Sequence, residues 1–180
     1  LYKRKLQNKI DWVPTDFSTW EQDLDKLKFP DRNKMDNSLY LRPDTGEPQA
    51  TIVTSRGCAA SCIYCLTPKI SGKKIRFRSP ENIVNELLDC FNNHNIRNFF
   101  FRSDTFTMDY KWVKELCERI FDTELNGKIE WVANSRVNPL KYETLQYMKK
   151  AGCWLVAFGF ESGSQETLSK IKKGAKPHHN

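Results

Sequence analysis

Three cysteines close together near the middle of the chain carry the clearest chemical signal in the sequence. Cys58, Cys62 and Cys65 have the spacing Cys-x3-Cys-x2-Cys. A tight loop of this kind suits an iron–sulfur cluster, which is held by cysteine thiolates. A four-iron cluster has four irons to ligate, so three thiolates leave one iron open to a substrate or cofactor. The spacing also allows a zinc site completed by a distant residue, a Cys62/Cys65 dithiol pair, or simply buried thiols.

The cysteine loop follows the first of four strands in a repeating pattern of strands and helices. Runs rich in β-branched or aromatic residues predict the strands: residues 49–55, 98–103, 129–135 and 154–160. Three consecutive phenylalanines in the second run indicate a strand buried on both faces. Apolar residues at helical spacing predict the helices, which begin after Ser79, at about Asp109, at Pro139 and after Ser164. Gly174 is expected at C′ of the last helix. The alternation predicts an α/β fold with a parallel sheet.

Polar residues, glycines or cysteines follow each of the four predicted strands. They are Arg56-Gly57-Cys58, Asp104-Thr105, Arg136 with Asn138, and Glu161-Ser162-Gly163. In a parallel sheet the functional loops lie at the carboxyl ends of the strands. Four such loops at one edge therefore predict an active site there.

The cysteine loop resembles the signature of the radical S-adenosylmethionine (SAM) enzymes. Its sequence is Cys58-Ala-Ala-Ser-Cys62-Ile-Tyr64-Cys65, and it includes the aromatic residue that the family has directly before its last cysteine. The resemblance extends from about residue 44 to the end of the chain. Arg56-Gly57-Cys58 and Gly159-Phe160-Glu161-Ser162-Gly163-Ser164 are most similar to the cobalamin-dependent subgroup.

This resemblance implies how the chain is organised. Residues 49–180 would be the N-terminal part of a radical SAM core domain, a partial (β/α) TIM-like barrel with the first four βα units of a usual six. Residues 1–48 are polar and broken by prolines at positions 14, 30, 43 and 48. They resemble the linker from an upstream, cobalamin-binding domain that these residues do not include.

The resemblance also implies the cofactors. Cys58, Cys62 and Cys65 would bind three irons of a [4Fe–4S] cluster, and SAM would chelate the fourth iron. An electron from the cluster would cleave SAM to methionine and a 5′-deoxyadenosyl radical. The radical would serve methylation or rearrangement of an unknown substrate, with cobalamin supplied by a domain outside this chain in the subgroup.

Six further residues are implied to contact SAM: Tyr64, Ser103, Asp104, Arg136, Glu161 and Ser162. Ser103 and Asp104 stand where the family often has Gly-Gly-Glu, and would meet the SAM amino group. Arg136 would hold the carboxylate with its guanidinium fork. Glu161, assisted by Ser162, would accept from the ribose hydroxyls, and Tyr64 would pack near the adenine. A capping role for Asp104 and a structural ion pair for Arg136 are the alternatives.

The charge distribution bears on the partners. The chain has 29 Lys and Arg against 22 Asp and Glu, which gives a net charge of +7. These cations are scattered, so nucleic acid is not expected as a partner. Lys73, Lys74, Arg76 and Arg78 follow the cysteine loop and would favour an anionic substrate or a flavodoxin- or ferredoxin-type reductant.

The sequence also limits the location and the classes of function. The absence of a long apolar run or signal core indicates no membrane segment and a cytoplasmic protein with reduced thiols. The leading hypothesis is a radical SAM enzyme. An iron–sulfur or zinc nucleic-acid-binding module without catalysis, and a radical methylthiotransferase, are the competing hypotheses.

Overall fold

The computed structural model describes residues 2–6, 9–13 and 20–179. The strands are β1 (Tyr2–Leu6), β2 (Lys9–Val13), β3 (Gln49–Val53), β4 (Ser55–Arg56), β5 (Arg76–Phe77), β6 (Asn98–Arg102), β7 (Glu130–Ser135) and β8 (Cys153–Phe158). The α-helices are α1 (Thr67–Ile70), α2 (Pro80–His94), α3 (Tyr110–Phe121), α4 (Tyr142–Lys150) and α5 (Gln165–Lys170). Short 3-10 helices lie at Leu24–Lys26, Arg32–Lys34, Asn37–Leu39, Phe106–Met108 and Pro177–His179.

The main sheet is parallel and has the strand order β3-β6-β7-β8. Consecutive strands of this sheet are neighbours, and a helical segment connects each to the next. The α/β class predicted from the sequence, with four parallel strands in chain order, is therefore confirmed. This is the arrangement of the first four units of a (β/α) barrel.

One face of the sheet packs against the helices and forms the core. Alternate side chains of β3, β6 and β7 point to this face because successive residues of a strand face opposite sides. They join apolar residues of α2 and α3 in one buried cluster. Phe101 stacks on Trp131 with ring centroids 4.4 Å apart, so aromatic contacts connect the two central strands.

The opposite face is much more open. Phe100 is only half-buried, whereas its neighbours Phe99 and Phe101 are fully buried. Leu155, on the same side of the sheet in β8, is 42% exposed. The prediction that the three phenylalanines form a strand buried on both faces is therefore wrong. Helices α2 and α3 pack on the other face, as helices do in a barrel wall.

Three of the predicted helix starts are confirmed, and a capping side chain marks each. Ser79 accepts from the Asn82 N–H before α2, Asp109 from the Trp112 N–H before α3, and Ser164 from the Thr167 N–H before α5. A side-chain oxygen at N-cap satisfies a backbone N–H that has no partner within the helix.

Two boundary predictions were wrong. Pro139 does not open α4, which begins at Tyr142 with Lys141 at its N-cap. The residues before it form a bend in which Asn138 donates to the Gly174 carbonyl at 3.3 Å, a long-range contact that the helical pattern does not reveal. Gly174 is not the C′ residue of α5, because the helix ends at Lys170 with Ile171 as its C-cap, and Lys172 takes the left-handed conformation at φ +53°.

Residues 20–48 contact α1, α2 and β3. The Trp20 indole donates to the Ile70 carbonyl at 2.9 Å. Arg32 is buried and pairs with Glu86 at 3.0 Å. Whether residues 1–48 act as an interdomain linker stays a prediction. Residues 1, 7–8 and 14–19, including Pro14, lie outside the described residues.

A small antiparallel pair, β4 with β5, closes the base of the cysteine loop. The two short strands are not predicted by the sequence pattern. None of the helices in the described ranges has the length and apolar character needed to cross a lipid bilayer.

Candidate active site

The cysteine loop leaves β3 at the carboxyl-terminal edge of the sheet through a glycine. Gly57 has φ +95°, and a Cβ there would lie 2.2 Å from the Lys74 carbonyl oxygen. No side chain fits that gap, so the close approach of the two ends of the loop requires glycine. The Cys58 N–H donates to the Gly72 carbonyl at 3.1 Å, which fixes the first cysteine beside this contact.

All three cysteines of the loop line one cavity of about 190 Å³. Cys58 and Cys62 are each 8% exposed, whereas Cys65 is exposed. None of the three forms a disulfide. The cavity also contains Tyr64, Asp104, Arg136, Glu161 and Lys173. The sheet edge therefore brings together three thiols, two acids and Arg136 from the four predicted loops, and Lys173 joins them from the segment after α5.

The donor set fits an iron–sulfur cluster. Within the described ranges, no three His, Cys, Asp or Glu side chains converge on one point as ligands of a single metal ion do. A four-iron cluster does not need such convergence, because each cysteine binds its own iron at a different corner. Three unpaired thiols facing one cavity, in a loop closed by Gly57, supply the ligands that such a cluster takes.

Asp104 joins the second loop of the edge to the cysteine loop. Its carboxylate accepts from the Gly57 N–H at 2.8 Å and from the Thr67 hydroxyl at 3.4 Å. Ser103 is buried, and its hydroxyl lies 2.6 Å from that of Ser55 and accepts from the Thr105 N–H at 3.1 Å. Asp104 lines the cavity and Ser103 does not.

Arg136 points from the third loop at the second cysteine. Its Nη1 donates to Cys62 Sγ at 3.4 Å, and its Nη2 donates to the Lys173 carbonyl oxygen. No ion-pair contact with a carboxylate is found for Arg136 within the residues that the structure describes. The structural ion pair considered from the sequence is therefore not what holds this side chain.

Glu161 and Lys173 form a pair at the fourth loop. The Lys173 ammonium lies 2.9 Å from Glu161 Oε1 and 3.2 Å from the Tyr64 hydroxyl. It holds the pKa of the Glu161 carboxyl below its usual range. A Cβ on Gly159 would lie 2.7 Å from Glu161 Oε1, so the glycine leaves room for the carboxylate. Ser162 accepts from the Ser164 N–H at 3.0 Å and does not line the cavity.

Lys173 is the residue of this site that the sequence reasoning missed. It lies in a run of lysines after α5, a pattern typical of a solvated surface, yet it is only 6% exposed. Its N–H donates to the Leu168 carbonyl at 3.0 Å, and the Lys172 N–H donates to Ser169 at 3.1 Å. This is the Schellman arrangement that ends a helix, and it turns Lys173 back toward the sheet.

The fold and the site define a class of protein, a metalloenzyme with a thiol-lined centre at the carboxyl edge of a parallel α/β sheet. The particular family follows from comparison. The sequence profile of the radical SAM superfamily matches residues 52–179, so the chain belongs to that superfamily. Its members are enzymes that use SAM and a [4Fe–4S] cluster, and the resemblance stated from the cysteine loop is confirmed.

Two curated relatives illustrate the range of reactions. An uncharacterised methyltransferase of Pyrococcus horikoshii is 33% identical over 156 residues, which cover 87% of this chain and 33% of the relative. An anaerobic magnesium-protoporphyrin IX monomethyl ester cyclase of Cereibacter sphaeroides is 28% identical over 154 residues, which cover 84% of this chain and 25% of the relative. The chain thus spans a third or less of the length of these relatives.

A solved structure shares the fold. It is the radical SAM methyltransferase TsrM of Kitasatospora setae, with cobalamin and a [4Fe–4S] cluster bound. It superimposes with a TM-score of 0.64 at 21% identity, over 73% of this chain and 26% of TsrM. At this identity the likeness shows the fold, and the expected partial TIM-like barrel is confirmed.

Proposed function

We propose that this chain is the cofactor-binding part of a radical SAM enzyme that methylates an unknown substrate. One observation carries the proposal. Cys58, Cys62 and Cys65 line a single cavity at the carboxyl-terminal edge of the sheet, with the charged residues of the other three loops around them. The methyltransferase relative supports methylation, and the cyclase relative supports rearrangement or ring closure as the second outcome.

The chain's own residues bind and orient the cofactors. When both are bound, the cluster and SAM supply one-electron cleavage of the sulfonium C–S bond to give methionine and a 5′-deoxyadenosyl radical. Cys58, Cys62 and Cys65 would each hold one iron of the cluster, and of these three thiols only that of Cys65 is exposed. Asp104 keeps the loop closed through the Gly57 N–H at 2.8 Å.

The SAM contacts implied by the resemblance differ in the support they receive from the geometry. Glu161 and Tyr64 line the cavity and share Lys173 as a hydrogen-bond donor, which supports their proposed places at the ribose and the adenine. Asp104 and Arg136 also line it. Ser103 and Ser162 do not line the cavity and accept hydrogen bonds from neighbouring backbone N–H groups, so the geometry gives less support to their contact with SAM.

Cobalamin is proposed as a third cofactor, held by a domain outside these residues. The support is the fold shared with TsrM, whose structure contains cobalamin. A radical methylthiotransferase remains the competing hypothesis, because enzymes of that class have the same three-cysteine motif.

An electron donor with an acidic surface is the proposed protein partner. Lys69, Lys73 and Lys74 are exposed and follow the exposed Cys65 in sequence, and opposite charges accelerate association. Arg76 and Arg78, which we expected to contribute to this surface, are each 7% exposed. Arg76 donates to backbone carbonyls and Arg78 pairs with Glu86, so neither is available to a partner. The free thiols are in keeping with the reducing cytoplasm as the proposed location.

Anaerobic reconstitution with iron and sulfide tests the proposal. The wild-type protein is expected to take up iron and sulfide in equal amounts and, with dithionite, to cleave SAM to methionine and 5′-deoxyadenosine. Cys62→Ala is expected to lose both properties. Cys153→Ala is the matched control, because it also removes a buried thiol but lies outside the loop, and it is expected to keep both.

Two results would contradict the proposal. Bound zinc without sulfide would favour the zinc-site hypothesis. A salt-dependent affinity for RNA without any cleavage of SAM would favour a nucleic-acid-binding module.

A further inference from the structure

Arg136 contacts the cysteine loop through sulfur. Its Nη1 lies 3.4 Å from Cys62 Sγ, across 74 residues of sequence. Cys62 is 8% exposed, so little water competes for this sulfur. Two of the three guanidinium nitrogens are therefore engaged, one by the thiol and one by the Lys173 carbonyl.

The surrounding backbone holds this guanidinium in place. The Lys173 carbonyl that accepts from Nη2 belongs to the turn that ends α5, which two backbone hydrogen bonds fix. Asn138, two residues after Arg136, donates to the neighbouring Gly174 carbonyl at 3.3 Å. The third loop and the end of α5 are thus joined at two points, and this junction aims Nη1 at the sulfur.

We infer that Arg136 is a positioning residue that donates a hydrogen bond to the Cys62 thiolate and thereby raises the reduction potential of the cluster bound there. The inference rests on the proposed function. Hydrogen bonds to the sulfurs and local charge are among the features that set cluster potentials. An added electron makes the ligand sulfurs more negative, so a charge-assisted N–H···S bond strengthens on reduction and stabilises the reduced cluster.

This role differs from the carboxylate contact implied by the resemblance. The sulfur and the Lys173 carbonyl engage two of the five guanidinium N–H groups, so a carboxylate contact would be a separate role of the remaining ones. The sulfur role acts on the cluster even without SAM, whereas the carboxylate role acts on the affinity for SAM. The two are therefore separable by measurement.

The test is a redox titration of the reconstituted protein without SAM, followed by electron paramagnetic resonance of the reduced cluster. At the midpoint potential of the wild type, we expect Arg136→Gln to lower the ratio of reduced to oxidised cluster about tenfold, a downward shift of about 59 mV for one electron. Arg97→Gln is the control. It removes the same charge from an exposed arginine before β6, at the opposite edge of the sheet, and should titrate like the wild type.

A conservative variant keeps the inference testable if Arg136→Gln does not take up iron. Arg136→Lys retains the charge, but a single ammonium cannot reproduce the planar fork that joins the sulfur to the Lys173 carbonyl. We expect its midpoint potential to be lower than that of Arg97→Gln, but by less than the shift expected for Arg136→Gln. An unchanged midpoint in a fully loaded Arg136 variant overturns the inference, and a simultaneous loss of SAM affinity would assign Arg136 to the carboxylate. Failure of the wild type to assemble any cluster would instead overturn the proposed function.

Discussion

The two edges of the parallel sheet both hold a largely buried arginine, but the partners of the two arginines are different in kind. At the amino-terminal edge, Arg42 hydrogen bonds to Asp44 at 2.8 Å and 2.9 Å, to Asn98 at 2.9 Å and to Glu130. It also lies over the Trp154 ring at 4.2 Å. At the carboxyl-terminal edge, the partners of Arg136 are a thiol sulfur and a backbone carbonyl.

This difference separates a structural network from a functional one. Arg42 is surrounded by acids, which raise the pKa of its guanidinium far above the usual value, and its hydrogen bonds connect the start of β6 to that of β7. Arg136 instead faces a cavity with three thiols. A buried arginine saturated by carboxylates indicates a role in stability. A buried arginine that contacts a cysteine thiol at a cavity instead indicates a binding site for a cofactor.

The largest expected effect comes from substituting a glycine at the carboxyl-terminal edge of the sheet. Gly57→Ala would place a Cβ 2.2 Å from the Lys74 carbonyl oxygen at a φ of +95°, so the loop must open. We expect nearly complete loss of iron after reconstitution, measured by metal analysis.

A glycine before β7 provides the control for that substitution. Gly127 also has a positive φ, +68°, but nothing lies within 4 Å of a Cβ placed there. Gly127→Ala is expected to lower the free energy of unfolding by only about 1 kcal/mol and to keep its iron. Equal iron contents in the two variants would show that the loop does not need the close approach.

The reactivity of the cysteines provides a second contrast, between the cysteine loop at the carboxyl-terminal edge and the core. Burial raises the pKa of Cys90 to about 11 and that of Cys153 to about 12, and it raises the pKa of Cys117 as well. Since the thiolate is the reactive form, these three should react with iodoacetamide at pH 8 at least about a hundredfold more slowly than an exposed thiol.

Peptide mass spectrometry of the cluster-free protein measures this contrast. Cys65, which is exposed, should be labelled first, and the core cysteines only on unfolding or as the pH approaches their raised pKa values. Labelling of folded Cys117 as fast as Cys65 would contradict the packing described here. Loading with iron should protect Cys65 and leave the core cysteines unchanged.

Removing the arginine of the amino-terminal edge should affect stability alone. Arg42→Met leaves the carboxamide oxygen of Asn98, a residue 4% exposed, without its donor. We expect the free energy of unfolding in urea to fall by about 2 kcal/mol. Folded Arg42→Met should retain the wild-type midpoint potential, and a shifted potential would mean that the two edges are coupled.

The smallest expected effect concerns two lysines near the end of the chain. Lys173→Met removes the buried donor to Glu161 and Tyr64 and should weaken SAM binding about tenfold, as loss of a charged hydrogen bond does. Lys170 pairs with Glu166 at 2.7 Å with both side chains more than 70% exposed, so Lys170→Met should leave SAM affinity unchanged. Calorimetric titration of the reconstituted proteins with SAM would separate them, and equal affinities would remove Lys173 from the site.

Much of the fold was predictable because its signals are local. Ser79 and Ser164 cap helices through backbone groups three residues away, and the apolar periodicity of α2 and α3 depends only on neighbouring residues. The open face of the sheet was not predictable from the three phenylalanines of β6. Whether Phe100 is covered depends on elements elsewhere in the chain, and in the folded chain it stays half-buried.

The features of the candidate site also separate into those set by local sequence and those set by contacts between distant residues. The type and spacing of Cys58, Cys62 and Cys65 already favoured iron–sulfur chemistry over a zinc site or a dithiol pair, because all three thiols lie within eight residues of one loop. Only the tertiary structure decided that Arg136 reaches Cys62 across 74 residues, that Asp104 holds Gly57 across 47, and that Lys173 is buried against Glu161. These contacts depend on which strands are neighbours and where α5 ends. A sequence pattern specifies local geometry, whereas the meeting of distant side chains is decided when the sheet assembles.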